Sequence, residues 1–314
     1  MQETIVSTGG RICIAGEGTS RLQGRGLTAA IAGLETQVRL QSAPGYAIEY
    51  GAPFDKEKPT LDYVAAVCRA FKKREPVVRD MRFMVTSTLP HGEGLSSSAA
   101  LCVATASAIN QHFKLGYSAR DIAEIAFEGE TKELGIACGK LDHYAIAFKG
   151  VLFQDYATSP LFVEKLSLPD NTVIVIGSIG SGSPYSPIGA SILERYNQKD
   201  PSILAYREHV ITSVDTLRAL LQPTSVNTPH TQEKIGHIVS SLQRAICESL
   251  KVHNKEIDAL VSVAIENGAY AAKTSGIRYE GGCMFALCTP ETAPRVAESL
   301  TKQGATSHSV TLAE

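Results

Sequence analysis

A chain of 314 residues with 44% hydrophobic and 20% charged side chains has the composition of a folded globular protein, which excludes a disordered tail or a linker. A formal net charge of −2 argues against a broad nucleic-acid or anionic-membrane footprint, so no nucleic acid and no membrane are expected, and small molecules become the expected partners. Seven cysteines without a C-x-x-C pair read as reduced thiols; with no signal-like start and no apolar run near about eighteen residues, a cytoplasmic protein is expected.

In chain order, apolar spacing predicts strands over Ile5 to Ala15 and Leu34 to Leu40, separated by the Gly-rich G-E-G-T-S-R-L-Q-G-R-G. Thr60 to Arg74 has helical spacing, with Thr60 as N-cap and Pro76 beyond the end. Arg82 to Thr88 alternates like a half-buried strand. Behind it, L-P-H-G-E-G-L-S-S-S-A-A-L leads into a small-residue helix over Ala99 to Phe113. Ser118 and Asp121 form a capping-box-like start to a second helix that Gly135 stops.

The run V-L-F-Q-D-Y reads as a strand, and the texture changes after Pro160. Thr172 to Ile176 is a β-rich run followed by the loop G-S-I-G-S-G-S-P-Y-S-P. Helices over Leu204 to Leu221, Gln232 to Val252 and Lys255 to Glu266 lead to a strand at Cys283 to Cys288 and a helix at Glu291 to Thr301. The mixture is not a regular β-α-β alternation, which favours an α+β protein with domains over 1–160 and 161–314.

Glycines that let amides face a ligand, a helix N-terminus and adjacent hydroxyls make the turn at Gly92 to Ser98 a candidate phosphate cradle. It is not a Walker loop, because the only Gly-Lys pair, Gly139 and Lys140, is followed by Leu141. The same residues also serve simply to punctuate a turn and cap a buried helix.

The order of residues in P-x-G-x-G-L-S-S-S-A-A resembles the second signature of the GHMP kinases, the family of galactokinase, homoserine kinase, mevalonate kinase and phosphomevalonate kinase. Three further stretches fall in the family's order. G-G-R-I-C-I-A-G-E-G-T-S is similar to the galactokinase G-R-V-N-L-I-G-E-H-T-D, and E-T-K-E-L-G-I-A-C-G-K-L-D-H to E-H-E-F-V-G-V-R-C-G-I-M-D-Q. K-T-S-G-I-R-Y-E-G-G-C-M-F-A-L is similar to the third, Gly-rich signature.

The resemblance implies a two-domain fold, with an N-terminal ribosomal-protein-S5-domain-2-like α/β domain, a C-terminal ferredoxin-like α+β domain and the active site between them. It implies a kinase that uses ATP and Mg2+ on a small molecule, as a monomer or homodimer. Gly92, Gly94, Leu95, Ser96, Ser97 and Ser98 would hold the triphosphate. Ser98, with Ser97 as the alternative, and Glu130 would hold the metal. Asp142 would be the catalytic base and Arg11 the cation beside it, while Glu17, Ser20, Arg21 and Asp142 would face the acceptor. Taken without the family, Glu130 reads as solvated surface, Asp142 as a cap and Arg11 as the edge of a strand.

Two departures matter. Gly18 and Ser20 stand where galactokinases carry His and Asp, which speaks against galactose itself, and Arg21 beside them suits an anionic or differently substituted sugar or else solvent. Ile277, Arg278 and Glu280 lengthen the third signature, where Glu280 would repel ATP unless turned away. The favoured reading is phosphorylation of a sugar, at the anomeric hydroxyl. A mevalonate-type or other non-sugar kinase and a catalytically weak ATP- and sugar-binding sensor are the alternatives.

Overall fold

The computed structural model describes residues 3–52, 62–75, 80–223 and 228–314. Strand β1 (Glu3–Ala15) alternates in exposure at first and is buried from Gly10 onward, where both of its faces are covered. It runs antiparallel to β2 (Arg25–Ser42), pairing with Leu27 to Ala30 and with Glu35 to Gln41 on either side of a break. Next come β3 (Tyr46–Tyr50), helix α1 (Tyr63–Lys72) and β4 (Met81–Ser87), with β3 parallel and β2 antiparallel to β4. Asp62 caps α1 by accepting from the Ala65 amide; Thr60 and Pro76, the expected start and stop, lie outside the described residues.

Helix α2 (Ser97–Phe113) is buried nearly all round because Ala, Cys, Val and Ile occupy most of its turns, and it packs on β1 and β2. It ends at Phe113, the expected last residue, and the next residue, Lys114, takes the left-handed conformation. The Ser118–Asp121 capping box forms as expected and starts α3 (Ala119–Glu128), whose last turn widens into a π turn at Gly129–Glu133. Helix α4 (Leu141–Phe148), β5 (Val151–Asp155) and β6 (Phe162–Leu166) complete the first unit. Since β6 pairs with β5, this sheet runs through Leu166.

The second unit contains β7 (Val173–Ser178), α5 (Tyr185–Asn197), α6 (Pro201–Leu220), α7 (Pro229–Ala245), α8 (Lys255–Glu266), β8 (Ala271–Ser275), β9 (Cys283–Cys288), α9 (Ala293–Lys302) and β10 (Thr306–Leu312). Its strands lie in the order β10-β7-β9-β8, every neighbouring pair antiparallel, which is the ferredoxin-like arrangement with four helices in the first crossover. Strand β10 also pairs with β2 at Ile31 and Ala32, so ten strands among the described residues form one connected sheet. The fold is a two-domain α+β fold.

Six of these elements are absent from the sequence reading: β3, α4, β6, α5, β8 and β10. Helix α5 looks like loop because Pro187 interrupts it, yet that proline occupies the first turn, where no intrahelical amide is needed. Strand β10 carries mostly polar side chains, with Val310 its one buried residue and Leu312 packed against the same core.

Candidate active site

The loop after β4 enters α2 through residues with left-handed backbones. Gly92 (φ +68°) and Gly94 (φ +94°) tolerate this at little cost, but Ser96 (φ 62°, ψ 45°) is a strained non-glycine N-cap. Its hydroxyl makes no capping bond and turns toward Asp142 without meeting hydrogen-bond geometry. Leu95 is fully buried and anchors the loop, its carbonyl accepting from the Arg11 amide at 3.1 Å. The Ser97 hydroxyl accepts from the Gly92 amide at 3.4 Å and lies 2.9 Å from His91 Nδ1, whereas Ser98 is only half-buried. The first amides of α2 lack intrahelical acceptors and carry the positive end of the helix dipole, which is the arrangement that receives phosphate.

The loop rests on the second unit. A Cβ on Gly94 would lie 2.1 Å from the Ser275 carbonyl oxygen, closer than any real contact. Gly94→Ala must therefore both adopt a positive φ and push β8 away, a combined cost of at least about 1–2 kcal/mol. The expected result is a lower melting temperature together with weaker nucleotide binding in a titration; a variant unchanged in both would show that the loop has slack.

Arg11, on the buried half of β1, brings the two units together. Its Nε donates to Asp142 Oδ1 at 2.8 Å and its Nη1 to the Gly94 carbonyl at 2.6 Å and to Ser275 Oγ at 3.4 Å. Ser275 also accepts from the Cys13 amide at 3.3 Å. Asp142, in the first turn of α4, keeps 32% of its side chain exposed while Arg11 keeps 8%, so the carboxylate is the member of the pair that meets solvent and the guanidinium lies behind it. Burial pushes the Asp142 carboxyl up, but the adjacent Arg11 charge and hydrogen bond, with Ser96, outweigh that and hold it below its ordinary value.

Glu130 is buried at 4% exposure in the π turn. The turn can sit there because Gly129 lies against α1, where a Cβ would meet the Val67 backbone nitrogen at 3.1 Å. Glu130 Oε2 is 2.7 Å from His143 Nε2, a contact that is close but not aligned as a hydrogen bond. For magnesium, the free Ser98 hydroxyl and the Glu130 carboxylate are oxygen donors of the right kind, while Ser97 is already engaged.

On the acceptor side, Glu17 is buried and its carboxylate is ion-paired with Lys273, which is fully buried on β8. Two buried ions must pair to avoid a large desolvation cost, and this pair ties β8 to the segment after β1. Ser20 and Arg21 pass directly over Gly139, where a Cβ would be 1.9 Å from Ser20 Oγ. Arg21 Nη1 is buried with no hydrogen-bond partner. Tyr185, at the start of α5, lies in the field of Asp142 and Arg21; burial, then Asp142, push its hydroxyl up, so it stays a neutral donor. Glu280 is exposed, and Arg278 donates to the Ser183 carbonyl, which leaves the lengthened third loop without an inward-facing carboxylate.

The sequence reading assigned no role to Lys273, Ser275, Tyr185 or His143. Lysine and serine in the otherwise small run A-A-K-T-S were the available signal for the first two. His143, inside G-K-L-D-H, carries no signal of its own; the fold sets it opposite Glu130 of the π turn and against the Phe127 ring.

Family models described as GHMP kinases N terminal domain and GHMP kinases C terminal match residues 62–150 and 227–306. A galactokinase of Pyrococcus furiosus is 25% identical over 269 residues, 79% of this chain and 76% of the relative. A mevalonate kinase of the same organism is 27% identical over 260 residues, 82% and 75% of the two chains. Among solved structures, Lactococcus lactis galactokinase complexed with galactose superposes with a TM-score of 0.82 at 17% identity, covering 99% of this chain and 94% of that one.

Proposed function

The chain belongs to the GHMP kinase family and is an ATP-dependent small-molecule kinase with an alcohol acceptor, and from that premise we propose that it phosphorylates a sugar at its anomeric hydroxyl through Asp142. The observation that carries this reading is a set of buried polar atoms without hydrogen-bond partners. Among the described residues six such side-chain atoms occur, and two of them, Arg21 Nη1 and Ser96 Oγ, lie near Asp142. Buried donors left unmatched in a folded protein are costly unless a ligand meets them.

In this reading the amides of Gly92 to Ser98 hold the triphosphate at the start of α2, and Asp142 accepts the acceptor's hydroxyl proton or its hydrogen bond as the oxygen approaches. Arg11 keeps that carboxylate ionised and offsets the charge that develops beside it. Ser98 and Glu130 would hold magnesium, which when bound neutralises phosphate charge. The sugar assignment rests on G-L-S-S-S and G-K-L-D-H, which are closer to galactokinase-type members. A non-sugar alcohol carrying a carboxylate is the second reading, favoured by unpartnered Arg21 Nη1 and by the mevalonate kinase relative.

ADP release against neutral, amino and uronic sugars and against mevalonate tests the proposal. Turnover with a sugar alone supports the first reading, turnover with mevalonate alone the second, and none with any acceptor removes both. If the preferred acceptor is anionic, Arg21→Met is expected to raise its KM about 10- to 100-fold, the value of a charged hydrogen bond, with kcat little changed. An equal effect on neutral and anionic acceptors would sink the pairing.

A further inference from the structure

The carboxylate that would serve magnesium does not have oxygen neighbours alone. Glu130 in the π turn, Cys138 in the loop before α4 and His143 on α4 each place one donor atom within 4.8 Å of the other two. They come from three separate backbone segments and form the one such group of three among the described residues. His143 is 1% exposed, and neither of its ring nitrogens has a hydrogen bond. Its ring is fixed edge-on against Phe127 at 5.5 Å, so it does not turn freely toward another partner. A buried imidazole without hydrogen bonds is costly as it stands, and the 2.7 Å approach of Nε2 to Glu130 lacks the alignment that would remove that cost. Cys138 is half-buried and forms no disulfide, which leaves one side of the cluster open to solvent.

Hard cations such as magnesium select oxygen. One imidazole nitrogen, one thiolate sulfur and one carboxylate oxygen are instead the donors zinc takes, and three protein ligands with an open fourth position make a recurrent zinc arrangement. We propose that Glu130, Cys138 and His143 bind a thiophilic divalent cation of the zinc class, with solvent at the fourth position on the Cys138 side. Binding forms three metal–ligand bonds and displaces the Cys138 thiol proton to water; no electrons are exchanged. Because Glu130 is shared, such a cation competes for the carboxylate assigned to magnesium and inhibits phosphoryl transfer. The inhibition rests on the function proposed above; the binding does not.

The test is a titration of the full chain with Co2+, without nucleotide, followed by absorption spectroscopy. The expected result is one tightly bound ion with a thiolate-to-cobalt charge-transfer band. Cys138→Ser should abolish the band, and His143→Gln should weaken binding by at least about tenfold, the loss that even removal of an outer-shell partner produces. Cys138→Ser should keep the wild-type melting temperature without metal. No bound cobalt, or a charge-transfer band that survives Cys138→Ser, overturns the site. Zinc is then expected to inhibit the wild-type kinase at fixed MgATP and to spare Cys138→Ser. If no acceptor supports turnover, the cobalt result still decides the binding site, so the two proposals fail separately.

Discussion

Asp142→Asn is expected to retain MgATP binding while turnover falls roughly a hundred- to thousand-fold, the lower half of the range for losing a general base. The lower half is expected because the phosphoryl-transfer transition state is loose and proton removal comes late, which makes positioning of the hydroxyl a large part of the residue's work. Asparagine preserves the shape and can still accept from Arg11 Nε, so the amide-lined loop should stay in place. Nucleotide binding by titration and turnover by ADP release separate the two effects. Unchanged turnover would remove Asp142 from the mechanism, and lost nucleotide binding would show that its contact with Arg11 is chiefly structural.

Arg11→Met is expected to lower kcat/KM by at least about a hundredfold, comparable with removing a positioned charged donor from a transition state. It should also move the acid limb of the pH profile. In the folded protein Asp142 titrates below its ordinary value, so activity that needs the carboxylate is present above that folded pKa and lost as pH falls through it. Without Arg11 the largest remaining influence is burial, which raises the pKa, and the limb should shift to higher pH. Arg11→Lys serves as the control: it keeps a charge near Asp142 but loses the fork that also reaches Gly94 and Ser275, so the limb should stay near the wild-type position while kcat falls. A limb that does not move in Arg11→Met would contradict the assigned electrostatics.

Local signals carried most of the fold. The Ser118–Asp121 capping box, the helical spacing before Phe71 and the buried run after Ser98 act within a turn or two, and the chain forms those elements. Elements that depend on distant partners were not legible. Strand β10 takes its place from β7 and β2, and β6 from β5, and neither carries an alternating apolar face of its own.

The same division runs through the site. The loop that enters α2 is local chemistry, visible as glycines and serines ahead of a helix. Arg11 and Asp142, 131 residues apart, were linked only by the family's register. The pairing of Glu17 was not legible because the charge that takes its carboxylate, Lys273, stands 256 residues away in a strand too short to announce itself. His143 acquires meaning only from the π turn, which sequence periodicity does not show.

The most direct measurement is a crystal structure of the chain with magnesium, a non-hydrolysable ATP analogue and the best acceptor from the screen. The account predicts the triphosphate on the amides of Gly92 to Ser98, with the acceptor oxygen within hydrogen-bond reach of Asp142 and facing the terminal phosphate. A triphosphate bound elsewhere, or an acceptor hydroxyl out of reach of Asp142 in a complex competent to react, would contradict it.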